Sequence, residues 1–211
     1  MDRTSLYIKN KYDPIVIIVY GSYATGSNSL ASDFDALVIS KSHKEYHDTS
    51  LVNGVQLDVF VYPESYFDRE YDLEEFIPIS DGVIVLDTEN RGLKLKDEVI
   101  FYLENKPLKT ESEIEDSILW CHKMFRRAER KDAEGAFRFH WLLVDSLQIF
   151  CDIMRKPYLG PKKTLLWMKE ENLPAFNLYQ RALADFTIES LDNWISFLTE
   201  ISGFKVRESK E

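Results

Sequence analysis

The run Ile15–Tyr20 (IVIIVY) is apolar throughout and nearly all β-branched. Such a stretch predicts a strand covered on both of its faces. It stops at Gly21-Ser22, and a second apolar run begins only at Asp33-Phe34-Asp35. Two carboxylates one residue apart at the mouth of a core strand repel each other and lose hydration unless something positive sits between them. Any fold for this chain has to account for that placement.

The surrounding pattern predicts a sheet. Asp35–Ser40 reads as a second strand, and Val55–Tyr62 as a third, entered from Asn53-Gly54, a strong hairpin-turn signal. Gly82–Leu86 reads as a fourth, followed by a helix over Leu93–Asn105. After Lys106-Pro107 the texture changes. Thr110 and Glu113 are spaced as a capping box, and Ile114, Ile118, Cys121, Phe125 and Ala128 recur at helical intervals. Glu134–Arg155 reads as a helix apolar nearly all round, and shorter helices follow from Lys162, Pro174 and Ser190. The expected architecture is an α/β (α+β) domain with a mixed sheet over residues 1–107, followed by an all-α helical bundle over residues 108–211.

The chain carries 36 acidic and 26 basic residues, a formal charge of −10, which argues against a broad nucleic-acid-binding face and suits a cationic small partner. Cys121 and Cys151 lie in helical patterns outside any CxxC pair, as in a reduced cytosolic protein. No leader-like segment stands in the first 14 residues, and no apolar run is long enough to span a membrane, so a soluble, cytoplasmic protein without a membrane partner is expected.

Strand alternation puts Asp33 and Asp35 on one side, and Asp58, inside VQLDVFV, on a face shared with Gln56 and Phe60. Three aspartates on neighbouring strands make a set of hard oxygen donors of the kind Mg²⁺ prefers, usually shared with substrate phosphates. Gly21 permits a tight turn close to a ligand, and Ser22 offers an N–H and a hydroxyl. Ala24-Thr25-Gly26 reads as the first turn of a short helix with its N–H groups toward an anion.

Gly21-Ser22, ten residues, Asp33-Phe34-Asp35, then Leu57-Asp58-Val59 resembles the signature of the polymerase-β-like nucleotidyltransferase superfamily, over roughly the first ninety residues. The helical half resembles, less specifically, the bundle of bacterial aminoglycoside- and lincosamide-type antibiotic nucleotidyltransferases. The resemblance implies transfer of a nucleoside monophosphate from ATP or another NTP to a hydroxyl of a small acceptor such as an antibiotic, with two Mg²⁺ ions and release of pyrophosphate. It implies Asp33 and Asp35 as metal ligands, Gly21 and Ser22 as the triphosphate-binding turn, and Asp58 as a third metal ligand or the base. Where a base stands on the helical domain instead, Glu134 is the candidate.

Tyr23–Ser32 lacks the basic residue that compact members of the superfamily often carry there. Lys162 and Lys163, opening a helix, are candidates for positive charge at the phosphates, beside the plain reading of a solvated helix start. His43 and His47 read as part of a polar surface loop over Lys41–Thr49, and His122 and His140 as edge-of-core residues. The acceptor could instead be a protein partner, and a catalytically silent nucleotide-binding module is the non-enzymatic alternative. A homodimer is compatible with the sequence.

Overall fold

The computed structural model of the chain describes residues 3–204. These divide into two compact units, Met1–Lys106 and Pro107–Glu211.

The first unit is built on a mixed sheet. Its strands are β1 (Pro14–Val19), β2 (Phe34–Ser40), β3 (Tyr46–Asp48), β4 (Leu51–Val52), β5 (Val55–Pro63) and β6 (Val83–Asp87). The order is β3-β5-β2-β1-β6, with β4 paired to β5; β2 and β5 run parallel and the other pairs antiparallel. Every residue of β1 is buried, as its unbroken apolar run requires. Alternation sends Ile17, Val19, Ala36, Val38, Leu57 and Val59 to one face, where Ile8 and Tyr12 of helix α1 (Arg3–Tyr12) cover them. Val16, Ile18, Leu37, Ile39 and Tyr62 point the other way. They pack under Phe76 and Ile79 of a 3₁₀ segment, Leu73–Asp81, and Leu95 and Val99 of helix α3 (Arg91–Asn105). Helix α2 is the short turn Gly21–Thr25.

The sequence shows α1 only faintly, because among its described side chains only Ile8 and Tyr12 are large and fully buried. Lys41–Thr49 is not simply a loop either: it contains edge strand β3, which pairs with β5. Asp48, in that strand, is fully buried. Its carboxylate accepts the Tyr12 hydroxyl, Lys11 Nζ at 2.9 Å, Ser50 N at 3.0 Å and Ser50 Oγ at 2.6 Å. Burial alone would raise the Asp48 carboxyl, but the hydrogen bonds from Ser50, Tyr12 and Lys11 hold it well below the usual carboxylate range.

The second unit is helical: α4 (Glu111–Ala128), α5 (Ala133–Ile153), α6 (Pro161–Glu171), α7 (Leu173–Asp185) and α8 (Ile188–Ile201). Thr110 and Glu113 form the capping box at the start of α4. Ile118, Cys121, Leu142, Phe150, Met168, Trp194 and Leu198 are at the centre of its core. Within that core Trp194 Nε1 donates to Ser146 Oγ at 2.9 Å and the Tyr179 hydroxyl to the Leu143 carbonyl at 2.9 Å. One expectation needs correcting. α5 is not buried all round, because Phe137 and Val144, two turns apart on one side, are 61% and 65% exposed. Both cysteines are free and buried. Among the described residues, no helix is long and apolar enough to cross a membrane.

Candidate active site

β1 gives way to a tight turn at Tyr20, whose N–H donates to the Asp35 carbonyl at 3.1 Å. Gly21 then takes φ +65°, and a Cβ built there would fall well inside van der Waals contact of Asp35 Oδ2. Glycine is therefore needed twice, for the backbone angle and for the carboxylate above it. α2 starts here and closes at Gly26 (φ 69°), whose N–H turns back to the Ser22 carbonyl. Ala24-Thr25-Gly26 is thus the end of this helical turn and not its beginning, because the left-handed Gly26 stops it. Ser22 is buried within it.

Asp35 and Asp58 are register partners on the parallel strands β2 and β5. Leu57 and Val59, on either side of Asp58, are buried in the opposite layer, which turns Asp58 toward the face it shares with Phe60. Across the antiparallel β3–β5 ladder, His47 stands opposite Phe60. Its ring stacks on Phe60 (4.2 Å between centroids, 8° between planes), and its Nε2 meets Asp58 Oδ1 at 2.6 Å. Burial, reinforced by the charges of Asp58 and Asp35, pushes the Tyr20 phenol well up. Tyr20, Asp35, Asp58 and His47 thus form one group on neighbouring strands.

Asp33 lies two residues upstream of Asp35, before β2 begins, and is exposed. Among the described residues, no three His, Cys, Asp or Glu side chains are arranged to hold a metal ion, and Asp58 is engaged by His47. The donor set is still all carboxylate oxygen, with Asp35 lying over a position no Cβ could occupy, and in that chemistry it suits a hard divalent cation. Beside the group, on the same unit, lies a cavity of about 630 Å³ whose walls include Tyr20, Tyr46, His47, Phe60 and Tyr62.

The sequence model of the family described as "Nucleotidyltransferase domain" matches residues 1–121, more than half of the chain. The chain belongs to this family. The polymerase-β-like superfamily fits the nucleotidyltransferase, with its mixed sheet and mostly helical C-terminal region. Among solved structures it is similar to a nucleotidyltransferase-like protein from Exiguobacterium sibiricum 255-15, at 14% identity and a TM-score of 0.41, with 95% of this chain and 72% of that chain covered. No curated protein shows significant similarity to it.

Five of the residues singled out in the sequence of the nucleotidyltransferase, Gly21, Ser22, Asp33, Asp35 and Asp58, lie in the first unit. Lys162 and Lys163 lie in the second, in the first turn of α6 after Gly160 (φ 89°) and Pro161. Glu134, in the first turn of α5, is exposed and paired with Arg130 at 2.8 Å and Arg138 at 3.5 Å. His122 is half-buried with Nε2 3.0 Å from Thr199 Oγ1, and His140 is exposed. His47 corrects the loop reading: it sits on an edge strand, bonded to Asp58. Its position was recoverable from the Asn53-Gly54 turn, since the pairing of Val52 with Val55 continues in unbroken register to His47 with Phe60.

Proposed function

We propose that this nucleotidyltransferase moves a nucleoside monophosphate from ATP or another NTP to a hydroxyl of a small acceptor such as an antibiotic, releasing pyrophosphate. The observation that carries the reading is the Asp35–Asp58 register pair beside the Gly21-Ser22 turn. In this reading the backbone at Gly21 and Ser22 receives the triphosphate. Asp33 and Asp35, with Asp58 as a third ligand or the base, would hold two Mg²⁺ ions, which would supply charge neutralisation at the phosphates.

The acceptor oxygen forms the new bond to the α-phosphorus as the bond from that phosphorus to the β-bridging oxygen breaks. The acceptor proton goes to Asp58, whose carboxylate is oriented by the His47 Nε2 contact. Tyr20 stays a neutral phenol beside the two carboxylates and can donate a hydrogen bond to developing negative charge.

The test is pyrophosphate release with ATP and Mg²⁺ against aminoglycosides, lincosamides, nucleosides and candidate proteins. Release with a small acceptor, lost in Asp35→Asn by about a thousandfold, is the expected result. Undiminished turnover in Asp35→Asn overturns the assignment. Labelled nucleotide recovered on a polypeptide moves the acceptor to a protein, and ATP binding without transfer to any of these classes makes the chain a silent binding module.

A further inference from the structure

The cavity beside the carboxylates has a chemical character that the transfer reaction alone does not require. Its volume, about 630 Å³, is that of a small-molecule site. Tyr20, Tyr46, Phe60 and Tyr62 give it aromatic walls, its acidic groups are Glu45 and Glu75, and among the described residues no lysine or arginine lines it. Nearby acidic side chains are matched by cations: Glu64 by Arg91, Glu74 by Lys106 and Glu89 by Lys41. Glu45 and Glu75 form no ion pair among the described residues, and Glu75 accepts the Tyr66 hydroxyl at 3.1 Å. Tyr62 is 9% exposed and lines the cavity, and its hydroxyl forms no hydrogen bond among the described residues.

We propose that this cavity is the acceptor subsite and that it takes a small molecule with an apolar body and a protonated amine; the assignment rests on the nucleotide-transfer reading above. Aromatic faces attract an ammonium group, and two carboxylates without cations add to that attraction. The Tyr62 hydroxyl supplies a polar anchor. The donor nucleotide fits poorly here, because its base is neutral and its phosphates would meet Glu45 and Glu75. Topology agrees. The Gly21-Ser22 turn follows β1, whereas Tyr46 and His47 stand on β3 at the far edge, with Asp35 and Asp58 on the strands between them. An acceptor seated toward β3 presents a hydroxyl to Asp58 from the side opposite the triphosphate turn.

The test uses the full chain with its Tyr and Phe rings isotopically labelled, titrated at neutral pH with 2-phenylethylamine, a cation, and 2-phenylethanol, its neutral counterpart. Saturable shifts at Tyr46, Phe60 and Tyr62 with the amine, at about tenfold higher affinity than the alcohol, are expected. The pair Glu45→Gln and Glu75→Gln, both at exposed positions, removes that preference while circular dichroism stays unchanged. Equal affinity for the two probes, shifts confined to other rings, or displacement of the amine by adenosine overturns the assignment. The two readings fail separately. Pyrophosphate release with a neutral acceptor, without amine binding, sinks the subsite alone; amine binding with undiminished turnover in Asp35→Asn sinks the transfer mechanism alone.

Discussion

Asp35 and Asp58 are register partners across the parallel ladder of β2 and β5, and the Asp35 carboxylate covers Gly21. Adjacent carboxylates are most stable with a cation near them. We therefore expect Mg²⁺ to raise the melting temperature saturably, with stabilisation of about 2.7 kcal/mol at a hundredfold excess over Kd. Asp35→Asn abolishes that rise. A melting temperature indifferent to Mg²⁺ would remove these residues as metal ligands.

Gly21→Ala places a methyl group against Asp35 Oδ2 and strains a backbone at φ +65°. The stability cost is about 1–2 kcal/mol, small enough to leave the fold intact. Activity falls much further, by about a hundredfold, because the displaced carboxylate misses its productive geometry. Differential scanning calorimetry alongside turnover separates the two effects, and a variant with wild-type kinetics contradicts the close approach.

His47 acts on Asp58 through one hydrogen bond and on Phe60 through ring stacking. His47→Ala lowers kcat by about tenfold to a hundredfold, with little change in the KM for the nucleotide. His47→Gln, which keeps a side-chain donor, recovers part of the loss. Equal defects in the two variants would make the stacking, and not the hydrogen bond, the operative contact.

Asp48 sets the acid limit of the first unit. Its carboxyl titrates below the usual range in the folded chain, so its contribution is complete above the unfolded value of about 3.9 and is lost as pH falls from there toward its own lower value. Asp48→Asn costs about 2–3 kcal/mol at neutral pH and flattens the acid limb of a denaturant-midpoint profile against pH. An unaltered acid limb would mean that other carboxylates govern it.

Much of this was legible in the sequence where physics leaves one option. The IVIIVY run admits little but a central strand, and Asp58 between Leu57 and Val59 has to face away from the layer that buries them. Asn53-Gly54 fixed a hairpin, realised with φ of 53° and 82°. What escaped is chemistry that hides from hydrophobic patterning. β3 is three residues long and reads Tyr-His-Asp, so no apolar alternation marks it. α1 buries too few large apolar side chains to show a stripe. Phe137 and Val144 read as core because apolar type alone does not say which side of a helix faces its neighbours. Asp48 reverses the usual rule altogether, a carboxylate in the core made tolerable by Lys11, Tyr12 and Ser50.

The neighbours His47 and Asp48 point to opposite faces of one short strand, one to Asp58 and the other into the core. A slip of one residue in β3 would exchange them, sending the imidazole inward and the charge outward. The bonds that Lys11, Tyr12 and Ser50 make to Asp48 forbid that exchange. Asp48 therefore works as a key that admits a single alignment, and damage to it would show up in an assay as an enzyme fault although it touches no reactant.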